Sequence, residues 1–280
     1  MQYKVLFVGL GSIGQKHLKN LSSLVDVKAD ALRTKNEPFE NVENIYTCYE
    51  SIPDDYDIIF ITNPTTLHYE AISKLKNKAK NMFIEKPIFE KLYDSEFSSG
   101  VNYVACPLRH NSAIKELKNF VENNKVYSFR AICSSYLPEW RKTGDYRNCY
   151  SAKAEMGGGV ELDLIHEIDY LKWIFGRFDK ISKISGKKSD LEINSNDVAV
   201  YIFENKNVIG SLHLDYFGRE TIRQIEVFAQ NETKVFDLTK NKDDMYIEEM
   251  KYFLNLIETE NKSGYNTPQE ALESLEAALS

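Results

Sequence analysis

The chain has 280 residues, of which 42% are hydrophobic and 28% charged, and it carries a formal charge of −7. That length suits about two domains with a large buried core, and no apolar run approaches the length needed to span a bilayer. The negative balance argues against a polyanion such as nucleic acid as a partner, because phosphate contacts need a clustered excess of Lys and Arg.

The first element is an apolar run, Lys4 to Val8 (KVLFV), too short for a buried helix and followed at once by GLGSIG from Gly9 to Gly14. Gln15 to Leu24 continues with Leu18, Leu21 and Leu24 at helical spacing, so a strand is expected to run through Gly9-x-Gly11-x-x-Gly14 into a helix. In a dinucleotide fold the first glycine allows the tight turn, the second lets backbone approach a pyrophosphate, and the third packs helix on strand. The N–H groups of Ser12, Ile13 and Gly14 at the helix start would hold the phosphate charge. The stretch MQYKVLF enters this strand without a basic region or cleavage site, so no export signal is expected.

Up to about residue 107, further short apolar runs alternate with helical stretches: VKADAL, then Asp57 to Thr62, then Asn81 to Pro87, then Val101 to Pro107. Such alternation predicts βαβ units, an α/β doubly wound parallel sheet, over residues 1–107. The lysine-rich stretch from Lys74 to Lys80 reads as the solvated face of a helix. After a helix near Asn111 to Asn123 the character changes. VYSFRAICSSYLP, DVAVYIFEN, NVIGSLHLDYF, TIRQIEVFAQN and TKVFDLT follow one another with Asn, Lys and Gly turns. They predict an α+β second domain over 108–280 with a mostly antiparallel, open-faced sheet. The four cysteines (Cys48, Cys106, Cys133, Cys149) lack CxxC or CxxH spacing, so reduced thiols in a cytoplasmic protein are expected, with no disulfide framework.

Three further segments carry chemistry. Asn63, Pro64 and His68 follow a strand end, where open α/β sheets bind ligands. They are read as cofactor contacts, with the alternative that Thr65 or Thr66 caps a helix carrying Tyr69 to Leu75 and that His68 only packs. Glu85-Lys86-Pro87 also follows an apolar strand: a carboxylate before and a proline after would pin Lys86, fit to donate to a reacting oxygen, while Glu85 would suit ribose hydroxyls. The bland alternative is an ordinary turn. Gly157 to Tyr170 (GGGVELDLIHEIDY) ends a glycine loop and starts a helix that sets Asp163, His166 and Asp169 three residues apart on one face. Histidine is the natural acid/base near neutral pH, and a carboxylate one turn away can fix its tautomer. No metal is assigned; a carboxylate-type metal site and a purely structural capped helix are the competing readings.

GLGSIGQKH, the strand ending in NPTTLH, the triplet at 85 to 87, and GGG followed by Asp163, His166 and Asp169 resemble, in this order and spacing, one family over nearly the whole chain. It is the glucose-fructose oxidoreductase and inositol dehydrogenase family of nicotinamide-dependent sugar oxidoreductases. The resemblance implies that Lys86 and His166 sit at the hydride-transfer site. Many members place the catalytic aspartate four residues before the histidine, whereas here Leu162 holds that place; Asp163, three before, is carried over as the third catalytic group across a one-residue shortening.

An acidic residue at the tip of the second strand would hold both ribose hydroxyls, whereas an Arg accommodates a 2′-phosphate. The strand ends Ala31-Leu32-Arg33-Thr34-Lys35, with Asp30 inside it, so NADP is favoured over NAD, held by Arg33 and Thr34. The reading is an NAD(P)-dependent oxidoreductase acting on a polyhydroxylated substrate: a sugar, sugar derivative or cyclitol. His166 would exchange the hydroxyl proton and Lys86 would stabilise the charge on that oxygen. Arg109 and, from Trp140 to Tyr150, Tyr146, Arg147 and Tyr150 are candidate substrate contacts beside Asp163 and His166. The rival functions are an NAD-dependent glycosidase of the same fold and a non-catalytic dinucleotide sensor. Val198, Val200 and Ile202 on one face of a strand, with Ala199, Tyr201 and Phe203 on the other, predict a homodimer or homotetramer built through the second sheet.

Overall fold

The computed structural model describes residues 2–140, 144–239, 244–264 and 266–280. In chain order the main elements are β1 (Gln2–Val8), α1 (Ser12–Leu24), β2 (Asp26–Leu32), β3 (Ile45–Tyr46), β4 (Tyr56–Ile61), α2 (His68–Leu75), β5 (Ala79–Ile84) and β6 (Asn102–Val104). They are followed by α3 (Ser112–Asn123), β7 (Val126–Tyr136), α4 (Val160–Asp163), α5 (Ile165–Phe175), β8 (Lys180–Gly186), β9 (Val198–Glu204) and β10 (Ile209–Asp215). The last are β11 (Phe217–Ala229), β12 (Thr233–Asp237), α6 (Met245–Glu258) and α7 (Pro268–Leu279). The chain forms two compact units, one of residues Met1–Pro107 with Asp244–Glu273 and one of Leu108–Asp243 with Ser274–Ser280.

The first unit is a six-stranded sheet in the order β3-β2-β1-β4-β5-β6, with every neighbouring pair parallel. Its central strands are apolar on both faces, and Val5, Leu6, Phe7, Ile58 to Ile61 and Met82 to Ile84 are all fully buried. That double burial is why they read as unbroken hydrophobic runs in the sequence. The strand order reverses between β1 and β4, so the loops leaving those two strands flank the crevice where open α/β sheets take their ligands.

Helices cross over only after β1 and β4. The connections from β2 to β3 and from β5 to β6 contain no α-helix, which leaves apolar sheet surface uncovered by local chain. α6, expected in the second domain, supplies the cover: Met250, Phe253, Leu254 and Leu256 join the core formed by Tyr3, Val5, Phe7, Leu18, Leu21, Phe60 and Phe83. Phe253 meets Phe83 edge-on at 5.2 Å and Phe60 at 6.1 Å. The assignment of all of 108–280 to the second domain is corrected accordingly.

The second unit is a six-stranded sheet in the order β12-β11-β7-β10-β9-β8. β7 and β10 are parallel and the other neighbours antiparallel, so it is mostly antiparallel, with β8 beyond the strands read from sequence. One face is core: Phe129, Ala199, Tyr201, Phe203, Leu212, Leu214, Ile225 and Val227 are buried, with Phe129 stacked on Phe175 of α5 at 4.4 Å. The other face is open, exposing Ile184 (79%), Ile202 (47%), Ile209 (54%) and Val235 (55%). The period-2 alternation of Val198 to Phe203 is this division between a covered and an open face.

Candidate functional site

In the first unit the glycine loop is shaped by contact with the loop after β4. Gly9 has a φ of 90°, and a Cβ there would lie 2.9 Å from the Asn63 Cα, so both its backbone conformation and its surroundings demand glycine. At Gly14 a Cβ would fall 2.5 Å from the Gly9 carbonyl oxygen and 2.9 Å from Thr62 Oγ1. Thr62 Oγ1 in turn donates to the Gly9 carbonyl at 2.6 Å, locking the turn to the neighbouring strand end. Gly11 differs. It is the N-cap of α1 with no side chain bonded to the helix start, and a Cβ on it would meet nothing within 4 Å. Open backbone, the unbonded N–H groups of the first turn (Ser12, Ile13, Gly14) and the positive end of the helix dipole together suit a pyrophosphate.

Inside β2, Asp30 is 4% exposed; its carboxylate accepts from the backbone and side chain of Asn44 and from the Tyr56 hydroxyl at 2.6 Å. It is therefore a structural tie inside the sheet. Arg33 follows the strand, donates to the Glu37 carbonyl at 3.0 Å and lies over the Phe39 ring at 4.9 Å. Thr34 and Lys35 are exposed beside it.

The segment after β4 departs from the expected helix cap. Thr65 to Leu67 form a 3₁₀ turn, and α2 starts at His68 with no side-chain cap. His68 is buried, with Nε2 2.9 Å from the Asn63 carbonyl and Nδ1 3.1 Å from that of Ile88. Burial holds its pKa below the ordinary histidine value despite these carbonyls and the charge of Glu85. It joins two loops rather than facing a ligand. Glu85 is likewise committed: one carboxylate oxygen lies 2.6 Å from His17 Nε2 on α1 and the other accepts the Lys86 N–H at 3.1 Å. Burial would raise its pKa, but the bond and charge of His17 and the nearby Lys86 bring it below the usual carboxylate value. We read Glu85 as a tie between β5 and α1 in place of the expected ribose contact. From Asn81 to Phe89, only Lys86 is more than barely exposed.

In the second unit the expected continuous helix is broken. α4 ends at Asp163, Leu164 adopts φ −98° and ψ 22°, and α5 begins at Ile165. The break separates residues that an unbroken helix would align. Asp163 accepts a 2.5 Å hydrogen bond from the Tyr216 hydroxyl, and Asp169 takes both Nε and Nη2 of Arg109 at 2.8 and 2.7 Å. Burial, then the carboxylate of Asp163, push the Tyr216 hydroxyl well above its ordinary pKa, so it stays a proton donor. Over Val160 to Leu171 His166 alone is partly exposed, which suits a group that must reach a substrate.

Among the substrate candidates, Arg109 is 1% exposed and bound to Asp169. It is a buried strut, and the expected substrate role is withdrawn. Tyr146 accepts the Glu192 N–H at 3.1 Å, Arg147 pairs with Asp145 and Glu192, and Tyr150 is 37% exposed. Arg141, Lys142 and Thr143 of the same stretch lie outside the described residues. Trp140 stands edge-on to Tyr216 at 5.2 Å. Sequence reasoning missed Tyr216, His17 and the role of Thr62, whose partners lie 53, 68 and 53 residues away.

A 3-2-1-4-5-6 parallel sheet with a glycine loop at its reversal point defines the first unit as a dinucleotide-binding module. Residues 3–96 match the model of an oxidoreductase family with an NAD-binding Rossmann fold. The chain is 24% identical over 250 residues to an uncharacterized oxidoreductase, YrbE, of Bacillus subtilis, covering 79% of this chain and 70% of that protein. Its fold resembles that of myo-inositol 2-dehydrogenase from Lactobacillus plantarum, with a TM-score of 0.81 and 18% identity over 100% of this chain and 96% of that one. It also resembles scyllo-inositol dehydrogenase from Lactobacillus casei, a structure holding NAD(H) and scyllo-inositol, with a TM-score of 0.78 and 17% identity over 100% and 95%. The chain is thus similar to the Gfo/Idh/MocA family of oxidoreductases, whose model covers residues 3–96 of its first unit.

Proposed function

We propose that the protein is an NAD(P)-dependent dehydrogenase or reductase acting on a hydroxyl or keto carbon of a sugar, sugar derivative or cyclitol. The carrying observation is the open backbone at Gly11, where a Cβ meets nothing within 4 Å although Gly9 and Gly14 are tightly enclosed. The names of the inositol dehydrogenases whose fold it shares support the substrate class.

The Gly11 loop and the N–H groups of Ser12, Ile13 and Gly14 would hold a nicotinamide dinucleotide, which would supply the hydride acceptor or donor. The chain supplies the proton chemistry. His166 takes the proton of the substrate hydroxyl during oxidation and returns it during reduction. Lys86, in the first unit, is the proposed hydrogen-bond donor that stabilises charge developing on a reacting oxygen. Asp163, which accepts from the Tyr216 hydroxyl, is the proposed third catalytic group, and Tyr146, Arg147 and Tyr150 are the proposed contacts to substrate hydroxyls.

NADP is the favoured cofactor: Arg33, Thr34 and Lys35 stand where NAD-selective folds place an acid, and the nearby Asp30 is occupied by Asn44 and Tyr56. The open face of the second sheet packs against a second copy to form a dimer or a pair of dimers. A cytoplasmic location is proposed on the four cysteines, which form no disulfide among the described residues. Among those residues no helix is long and apolar enough to cross a membrane.

The test follows absorbance at the reduced-nicotinamide band while inositols, sugars and nucleotide sugars are offered with each cofactor. On the substrate so found, Lys86→Ala and His166→Ala each lower kcat by roughly 10²-fold or more, with cofactor affinity little changed, since positioned proton transfer contributes that much. Near-normal turnover in both variants overturns the assignment.

A further inference from the structure

We propose that two buried histidines, His17 and His68, brace the Lys86 turn from either side, His17 through Glu85 and His68 through the Ile88 carbonyl, making both positioning residues for Lys86. The inference rests on the reading of Lys86 as the group that meets the substrate oxygen.

On the near side, His17 stands on α1 with its ring 4.7 Å from that of Phe83 and 6.3 Å from that of Phe60. Its side chain is inaccessible to solvent, and it faces Glu85 at 2.6 Å. The second oxygen of Glu85 accepts the backbone N–H of Lys86, so the chain of contacts runs from the glycine-loop helix to the lysine's own main chain. On the far side, Ile88 and Phe89 are buried, and the Ile88 carbonyl meets His68. The other nitrogen of that ring meets the carbonyl of Asn63, at the end of β4.

Burying an imidazole is unfavourable unless its nitrogens find partners; both nitrogens of His68 meet carbonyls, whereas His17 Nδ1 has none and only its Nε2 is bonded, to Glu85. Here each spends a contact on one flank of the same turn. The stem of a lysine is flexible, so the accuracy with which its ammonium is delivered depends on how firmly its Cα is held. A misplacement of about 1 Å at a reacting group can lower a rate by roughly 10²-fold.

The experiment reads Lys86 itself. The lysines of the full chain are ¹³C-methylated reductively, the Lys86 signal is assigned through Lys86→Arg, and its shift is compared among variants of matched pH and salt. In the His17→Ala/His68→Ala double variant the Lys86 signal moves to the position shared by exposed lysines. In His17→Gln and in His68→Gln, each of which keeps an N–H donor, it stays near the native position. Leu21→Ala, a destabilised core variant of the same unit, leaves it unmoved, and the single histidine-to-alanine variants show intermediate shifts should the double variant not fold. A native Lys86 signal in the alanine variants, or an equal shift in Leu21→Ala, overturns the proposal. Turnover of Lys86→Ala is judged separately: normal turnover with a shifted signal removes the catalytic reading and leaves the brace, whereas lost turnover with an unshifted signal does the reverse.

Discussion

Alanine at Gly11 and at Gly14 should fail in opposite ways, because the two sites differ in what a methyl group meets. At Gly14 the new carbon falls 2.5 Å from the Gly9 carbonyl oxygen and 2.9 Å from Thr62 Oγ1, both fixed by the bond between Thr62 and Gly9. Overpacking of this kind costs about 1 to 3 kcal/mol, or roughly 2 to 10 °C in the melting of the first unit. At Gly11 the methyl group meets no protein atom within 4 Å, and the φ of −69° is open to any residue. The loss of a polar N-cap preference is the only local cost there, at most about 1 kcal/mol. The methyl group instead occupies the approach of the pyrophosphate. Losing one charge-assisted bond of about 1.5 to 3 kcal/mol weakens binding by roughly 10- to 150-fold, at about 1.4 kcal/mol per decade. Thermal melting and titration of intrinsic fluorescence with NADP and NAD read the two effects apart. Native dinucleotide affinity in Gly11→Ala refutes the placement of the pyrophosphate, and unchanged melting in Gly14→Ala refutes the packing argument.

Three further variants extend the test. Arg33→Asp sets a carboxylate against a 2′-phosphate, so NADP affinity should fall at least tenfold more than NAD affinity; an equal loss for both shows that Arg33 does not face the ribose. Glu85 is held below its ordinary carboxylate pKa, so its ionisation contributes stability that is present above about pH 4.5 and is lost as pH falls through the lower folded value. Glu85→Gln should thus destabilise at pH 7 and converge on the parent as the pH falls through that lower folded value in denaturant titrations, and a pH-independent gap contradicts this. Phe253→Ala removes a fully buried ring and should lower the stability of the first unit by about 3 to 5 kcal/mol; a loss confined to the second unit, seen in hydrogen exchange, contradicts the assignment of α6.

Features set by neighbours in sequence were legible before any coordinates. The glycine spacing, the doubly apolar runs of β1, β4 and β5 and the alternation along β9 each express a local rule of backbone geometry or burial, and the chain folds as they require. Lys86 and His166, singled out from short motifs, are each the one partly exposed side chain in a buried stretch. What the sequence left open depends on residues far apart along the chain. The Glu85–His17 pair, the Asp163–Tyr216 bond and the return of α6 to the first sheet have no local signature, because a hydrogen bond or a packed ring carries no record of its partner's position. The helix break at Leu164 belongs with them: its neighbours suit a helix, while Asp163 is bonded to Tyr216, 53 residues away, and Asp169 to Arg109, 60 residues away. Local chemistry thus determined which groups are the candidates to react, and tertiary packing decided which of the remaining polar groups became buried ties.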